Sequence, residues 1–443
     1  MTQASLIKSV HKPRTVGFGS FYAGAKLIAL PLVRARRRRL RETAFVAVTG
    51  SWAKTTTVRL IAAALAERGP VSEVRYGRSQ GLKVVRTVLG TRRRDRSCVY
   101  ELAAYGPGTL DEILWAYEPD VGVVTHIGFD HLNVFENQAA IAREKEKLVA
   151  ALPSSGVAVL NADDPNVRAM ADASSARVVL YGLSAEADVR AEDVLAAFPE
   201  RLSFTVVIDG RRVPVQTRLC GRLWLPSALA AIATACALGV SPEAAAARLA
   251  AVEPSHRKLS VLETPAGVTF IRDDYKATWR TVAPALELLG SARAKRKVAV
   301  LGYLHNYAPQ PIEPLYTELA REARRNADLV VMVGPNAQHG LRARSSEDDD
   351  TIRAFSTAAE ATSFLRELLA PGDLVLVKGS QLGDGLERVS LAQVLPVNCW
   401  VPSCERFLKG CDECRLLTRG SQRATLWKRR SKERGETWSE NES

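Results

Sequence analysis

The chain reads as α/β: a central phosphate-loop ATPase domain on a parallel sheet, followed by a doubly wound, Rossmann-like C-terminal domain. Three observations predict this. From Thr43 to about Val252, apolar runs alternate with helical stretches, the pattern of parallel strands covered by helices. The same alternation restarts near His256 and continues for about 140 residues. Residues 45–57 read Phe-Val-Ala-Val-Thr-Gly-Ser-Trp-Ala-Lys-Thr-Thr-Thr and lead into a helix-like stretch, Val58–Glu67, which is the order of a phosphate loop. At 443 residues, two or three domains are expected. Hydrophobic residues at 47% and charged ones at 25% are ordinary for a soluble globular chain.

Residues 1–43 form a basic and apolar arm. They hold ten Lys/Arg and one acid, so +9 of the net charge of +13 sits there. The body carries only about +4, which argues against nucleic acid as a partner. Residues 15–33 are mostly apolar and run into Arg34, Arg36, Arg37, Arg38 and Arg39. Gly17, Gly19, Gly24, Lys26 and Pro31 weaken a bilayer span. The arginines follow the apolar run and no small-residue cleavage site is present, so a secretory signal is not expected. Two readings stay open: a helix packed on the body, or a segment (residues 15–41) lying on an anionic membrane surface. An ATP-type loop in the body places the chain in the cytoplasm, with the inner membrane face as its peripheral alternative.

The central domain spans 44–252. Strands are expected at Phe45–Val48, Val99–Glu101, Val121–Thr125, Val157–Leu160 and Val178–Tyr181. A hairpin of Arg201–Ile208 and Arg212–Arg218 turns at Asp209-Gly210, and alanine-rich helices at Leu225–Leu238 and Ala244–Ala250 close the domain. The C-terminal α/β domain spans 253–395. Its strands are Val268–Arg272, Lys297–Leu301, Leu329–Val333 and Leu374–Lys378, with helices at Thr281–Leu289, Ile312–Ala323 and Ala358–Leu369 between them. Residues 396–420 hold a cysteine cluster, and 421–443 read as a disordered charged tail.

The loop carries the first chemistry. A strand, a tight turn and a helix N-terminus aim backbone N–H groups at one spot, where phosphate fits. Gly50, Ser51, Lys54, Thr55 and Thr56 are the residues expected around ATP. Lys54 would reach the terminal phosphates and the Thr55 hydroxyl would hold Mg²⁺. Ala53 stands where such loops usually carry glycine; if its φ is positive, alanine costs about 1 kcal/mol or more. Glu101, at a strand's carboxyl end in the same sheet, is either a Mg²⁺ ligand or a solvated strand-end acid. Residues 123–132 leave a strand into a loop with His126, Asp130 and His131, suited to metal binding or substrate orientation. Lys145 lies in what reads as a charged amphipathic helix. Asn161-Ala-Asp-Asp164-Pro165 reads as a turn with a helix cap.

Of the seven cysteines, Cys98, Cys220 and Cys236 sit alone in apolar surroundings and read as core thiols. Cys399, Cys404, Cys411 and Cys414 form C-x4-C-x6-C-x2-C, four thiols in sixteen residues. The ligand count suits a closed structural Zn²⁺ site. An iron–sulfur cluster, a redox set or unbound thiols are the alternatives.

The order of these motifs resembles the Mur ligases. Thr49-Gly-Ser-Trp-Ala-Lys54-Thr-Thr-Thr57, Glu101, Thr125-His-Ile-Gly128…His131-Leu132, Ile141…Lys145…Leu152-Pro153 and Val159-Leu-Asn161-Ala-Asp-Asp-Pro165 carry the likeness. Arg257, Asp274-Tyr-Lys-Ala-Thr278 and Gly372-Asp-Leu-Val-Leu-Val-Lys378-Gly-Ser380 continue it, over roughly residues 44–395. Within the family, Asn161-Ala-Asp-Asp-Pro and Lys378-Gly-Ser look most like the D-alanyl-D-alanine-adding members. The resemblance implies an ATP-dependent, ADP-forming ligase that joins an amino acid or dipeptide to a carboxylate acceptor through an acyl phosphate, in cell-wall or surface-polymer synthesis. It implies that Lys54 and the loop bind ATP, and that Thr55, Glu101 and His131 hold Mg²⁺. Lys145 would be a catalytic position that is often carbamylated. Asn161, Arg257 and Asp274 would lie at the nucleotide, and Lys378 and Ser380 at the amine substrate.

Two further departures from the family bear on substrate and nucleotide. About 43 residues precede the loop, too few for the N-terminal UDP-sugar-binding domain, so a non-wall acid or polymer of the poly-γ-glutamate or cyanophycin type is the rival substrate. The adenine segment reads Gly221-Arg-Leu-Trp224-Leu-Pro-Ser227, without the family's usual hydrogen-bonding residues, though Trp224 could stack on a base. A rival of another class is a degenerate ATP-binding scaffold whose cysteine knuckle contacts a protein partner.

Overall fold

The structure is a computed structural model that describes residues 30–73, 80–128, 134–304, 311–381, 383, 385–401, 404 and 410–419. His131, most of the apolar arm and the 421–443 tail lie outside the described residues.

The chain divides into two compact units. The first comprises the chain up to Arg190 with Val207–Arg211 and Pro226–Arg248; the second comprises Ala191–Val206, Arg212–Leu225 and everything from Leu249.

In the first unit the elements alternate. They run α1 (residues 30–39), β1 (Ala44–Thr49), α2 (Lys54–Leu65), β2 (Val71–Glu73), α3 (Gln80–Gly90), β3 (Ser97–Glu101), α4 (Thr109–Tyr117) and β4 (Val121–Val124). They continue with α5 (Gln138–Ala150), β5 (Val157–Asn161), α6 (Pro165–Arg168) and β6 (Arg177–Gly182). The unit's sheet order is β2-β3-β1-β4-β5-β6, all parallel. Strands β7 (Val189–Leu195), β8 (Ser203–Ile208) and β9 (Arg211–Gln216) come next in the chain, and their residues are divided between the two units. Helices α7 (Leu225–Ala237) and α8 (Pro242–Ala250) follow. Phe45, Val46, Ala47 and Val48 are all fully buried, because a strand covered on both faces needs an unbroken apolar run. Phe45, Val46 and Val48 each contribute about 1.5–3 kcal/mol relative to leaving the side chain in water.

Helix α1 lies against this unit. Val33 and Leu40 are buried, Arg34 pairs with Glu118 at 2.8 Å, and Arg37 pairs with Asp120 at 2.6 Å. Arg34 stacks over Trp115 and Arg37 over Phe45. Of the two readings of the arginine run, the packed helix describes residues 30–39. No helix among the described residues is long and apolar enough to cross a membrane.

The second unit holds a six-stranded sheet of order β10-β11-β15-β12-β13-β14. Its strands are β10 (Ser260–Glu263), β11 (Thr269–Asp273), β12 (Arg296–Leu301), β13 (Leu329–Val333), β14 (Ile352–Phe355) and β15 (Asp373–Lys378). Only β10 runs antiparallel, against β11. The helices are α9 (Trp279–Ser291), α10 (Ile312–Arg324), α11 (Ala358–Leu368), α12 (Glu387–Leu391) and α13 (Leu416–Arg419).

Candidate active site

In the first unit the chain leaves β1, builds β2 and β3 on one side, and returns to add β4 on the other. The crevice outside the carboxyl ends at such a reversal is where α/β sheets bind ligands. The loop after β1 lies there. Gly50 takes φ 143°, and a Cβ on it would meet the Thr125 hydroxyl oxygen at 2.0 Å, so the close approach demands glycine. The Ser51 N–H donates to the His126 carbonyl at 2.8 Å, and the Gly128 N–H donates to Ser51 Oγ at 2.7 Å. Thr125 Oγ1 donates to the Trp52 carbonyl. These bonds sew the loop to the segment after β4.

Ala53 caps α2 at φ 63°, ψ −5°, with no side-chain cap on the helix. The position does require a left-handed residue, and alanine bears a cost of about 1–2 kcal/mol. The uncapped first turn leaves N–H groups to satisfy. Lys54 folds back, its Nζ donating to the Gly50 carbonyl at 2.7 Å. The Thr55 hydroxyl donates to Glu101 Oε2 at 2.9 Å, so two of the three expected Mg²⁺ ligands meet. Thr56 is buried, and its hydroxyl oxygen has no hydrogen-bond partner in the structure. An orphaned buried hydroxyl beside a lysine and a carboxylate fits phosphate and a hard cation.

His126 is the anchored histidine of this region. Its Nδ1 lies 2.6 Å from Asp164 Oδ2 and its ring is edge-on to Trp52. Asp164 also accepts the N–H groups of Ile127, Asn166 and Val167, the last two capping α6. Burial alone would raise the Asp164 pKa; the His126 contact and these N–H groups outweigh it and hold the carboxyl below its ordinary value. Asn161 is engaged at both ends of its amide, donating to the Thr125 carbonyl and accepting from the Asp163 N–H. It therefore braces the ends of β4 and β5, where the likeness implied a nucleotide contact.

Lys145 lies on α5, the charged amphipathic helix that the pattern suggested, and is 1% exposed. Its neighbour Glu144, which the sequence reading passed over, accepts the Gly108 and Leu110 N–H groups at 2.9 Å each and so fixes the start of α4.

The second unit gathers its charges inward. Arg257, itself at φ 63°, donates from Nε to Asp274 Oδ1 at 2.6 Å and from Nη2 to the Asp274 carbonyl at 2.7 Å. Arg272 reaches the other oxygen, Oδ2, at 3.2 Å. Burial works against the charge on Arg257, but Asp274 and Glu387 outweigh it and raise its pKa. Lys378 Nζ donates to Asp273 Oδ2 at 2.6 Å and to the Lys276 carbonyl at 2.8 Å. Lys378 and Ser380 are both 1% exposed, so the pair expected to face an amine lies inside the unit. Trp224, expected as a stacking surface, is buried too.

Burial pushes the Cys98 thiol up to about 12 and that of Cys236 up to about 11, as inert core thiols require. Cys399, Cys404, Cys411 and Cys414 are free thiols. Among the described residues no three His, Cys, Asp or Glu side chains come together as metal ligands. Instead the Arg388 guanidinium interacts with Cys411, Cys399 and Cys404, and its Nε donates to Cys411 Sγ at 3.4 Å.

Comparison with known proteins accounts for this arrangement. Residues 48–235 match the Mur ligase middle domain, and residues 257–381 match the Mur ligase, glutamate ligase domain. The chain is 33% identical over 376 residues to the UDP-N-acetylmuramoyl-tripeptide–D-alanyl-D-alanine ligase of Mycobacterium tuberculosis, covering 80% of this chain and 73% of that protein. It is 26% identical over 350 residues to the Bacillus subtilis protein of the same name, covering 78% and 75%. Its fold superimposes on MurF from Acinetobacter baumannii with a TM-score of 0.74 at 26% identity, covering 83% of this chain and 80% of that one. A phosphate loop whose threonine meets a strand-end glutamate, on a chain matched along both domains, identifies a member of the Mur ligase family, an ATP-dependent, ADP-forming amide ligase.

Proposed function

We propose that this ligase adds a D-alanyl-D-alanine dipeptide to the terminal carboxylate of a cell-wall peptide precursor in the cytoplasm. The observation that carries the reading is the Thr55–Glu101 contact beside Lys54, in a chain one third identical to ligases named for that dipeptide. The acceptor carboxylate oxygen attacks the γ-phosphorus of ATP, the bond to ADP breaks, and ADP leaves with the electron pair. The dipeptide amine then attacks the acyl carbon, the carbon–oxygen bond to phosphate breaks, and the amine loses its proton. Amide, ADP and inorganic phosphate result.

The residues divide this work. Lys54 swings from the Gly50 carbonyl to the terminal phosphates and offsets their charge. The Thr56 hydroxyl donates to a phosphate oxygen. Thr55 and Glu101 would hold Mg²⁺, joined by His131, and the ion supplies charge neutralisation on the transferring phosphate. Asp274 keeps the Arg257 guanidinium in place within the second unit. Lys145, buried on α5, is the position for a carbamate.

The test is product mass and ADP release with ATP, Mg²⁺, D-alanyl-D-alanine and UDP-N-acetylmuramoyl-tripeptide. One ADP per amide formed supports the reading. Turnover only with a polymeric or non-wall acid would replace the substrate, and no ADP with any acid would favour a binding scaffold.

The four C-terminal thiols are further proposed to bind one structural zinc, on donor count and spacing. Arg388 would offset the charge of a four-thiolate site. Elemental analysis of protein made with zinc present should find about one zinc per chain, and none would refute it.

A further inference from the structure

We infer that the first unit docks on an anionic phospholipid membrane through the amino-terminal end of its parallel sheet, the end away from the phosphate loop. Two arginine runs that are far apart in sequence meet there. One is residues 34–41, on α1 and the turn after it; the other is residues 92–96, the turn between α3 and β3. Arg36 Nη2 donates to the Thr91 carbonyl at 2.5 Å, and the Thr43 hydroxyl donates to the Asp95 carbonyl at 2.7 Å. The Ala44 N–H donates to the Arg96 carbonyl at 3.0 Å, where β1 and β3 begin side by side. Arg68, just ahead of β2, donates to the same carbonyl at 3.3 Å. Burial, and then the charge of Arg96, lower the Arg68 pKa, as crowded cations require.

The acids nearby leave most of this charge uncovered. Thr91 is fully buried, and the buried Asp95 turns its carboxylate inward to accept the Arg92 N–H at 2.7 Å. Arg92, Arg93 and Arg94 are exposed on the turn so held. On α1, Val33 and Leu40 are buried against the unit, while Leu32, Arg38 and Arg39 are exposed on the outer side, with Arg41 after them. Glu118 pairs with Arg34 and Arg38, Asp120 with Arg37, and Glu42 with Arg96. Arg39, Arg41, Arg92, Arg93 and Arg94 have no carboxylate partner among the described residues. Such a cluster attracts a surface of fixed negative charge. The apolar neighbours select lipid. Leu89, at the end of α3, and Leu32 are 41% and 56% exposed, and the chain enters α1 from residues 15–29, which are mostly apolar. Leucines enter the headgroup boundary while guanidiniums meet lipid phosphate; a nucleic-acid backbone offers the leucines nothing. The six residues of β1, about 20 Å of strand, separate this end from the phosphate loop, so docking keeps Lys54 and Glu101 clear of the lipid.

The experiment is co-sedimentation of the full-length protein at low salt with vesicles of phosphatidylcholine containing about one third phosphatidylglycerol, against vesicles of phosphatidylcholine alone. Wild type should pellet with the first and stay in the supernatant with the second, and added salt should release it. The triple variant Arg92→Gln, Arg93→Gln, Arg94→Gln should partition at least about tenfold less, with the melting temperature unchanged, since backbone and Asp95 hold the turn. Arg39→Gln combined with Arg41→Gln should show a similar loss, and serves if the triple variant does not fold. Wild type left in the supernatant by both vesicles would overturn the proposal. So would equal pelleting with both, which assigns binding to the apolar stretch alone, or a folded variant of either run that pellets like wild type. Tighter binding to single-stranded RNA than to the anionic vesicles at the same salt would give the patch to nucleic acid and overturn it too.

Discussion

The carboxyl ends of the two sheets handle charge in opposite ways. After β1 and β3, Lys54, Thr55 and Glu101 are half-buried and make single bonds to one another or to the loop backbone, and the Thr56 hydroxyl has no partner. At the ends of β11 and β15, Asp273, Asp274 and Lys378 are buried and paired, Asp274 with Arg257 and Asp273 with Lys378. The first end can exchange its bonds for a ligand's at little cost, because half-exposed polar contacts contribute about 0–1 kcal/mol. The second end is already built, and removing one partner of a buried pair costs about 3–5 kcal/mol. Substitutions at the first end should therefore lose turnover without loss of fold, and those at the second should lose fold as well.

The sharpest form of that contrast is Lys54→Ala. It should lower turnover by about a thousandfold or more while the melting temperature stays close to wild type, because the ammonium serves the transferring phosphate and no core contact. A parallel fall in melting temperature would erase the distinction. Glu101→Ala should cost about a hundredfold in the Mg²⁺-dependent rate at saturating ATP; an unchanged rate would make the Thr55–Glu101 contact structural. At the other end, Arg272→Ala should lower the unfolding free energy by about 3–5 kcal/mol in urea melts, since it leaves Asp274 and Asp412 short of a buried partner.

A gentler probe is acid. The Asp164 pKa is lowered in the folded chain, so its ionised form stabilises the fold above the ordinary carboxyl value of 3.8. That stability is lost as pH falls below 3.8 through the lower folded value. Asp164→Asn should flatten the acid limb of the stability curve in that window and leave the neutral limb's slope alone. The smallest effect is at Ala53, where the left-handed backbone favours glycine. Ala53→Gly should gain no more than about 1 kcal/mol, since relief of strain is offset by a more flexible unfolded chain.

The first end was legible because its parts are contiguous. The glycine turn, Lys54 and Thr55 lie within one short run, and the strand expected at Phe45–Val48 sits inside Ala44–Thr49. Strands β3, β5, β12, β13 and β15 likewise carry continuous apolar runs. The strands missed were β2, β7, β10 and β14, which are short, polar or half-exposed, such as Val-Ser-Glu at β2 and Ser-Val-Leu-Glu at β10. Helix α4 was missed because its start is fixed by Glu144, 34 residues further on. The ion pairs of the second unit could not be read from spacing, since Arg272 and its partner Asp412 are 140 residues apart. Lys145 lies on the helix its charged pattern suggested; that pattern reveals which faces exist and not which one the fold turns inward.

The most direct test of the central claim is oxygen transfer. With the acceptor carboxylate labelled with ¹⁸O, and with Mg²⁺, ATP and D-alanyl-D-alanine present, an acyl-phosphate ligase moves one labelled oxygen into inorganic phosphate for every amide formed. The predicted result is label in phosphate at one atom per amide, absent in Lys54→Ala. Amide formed with unlabelled phosphate would contradict the account.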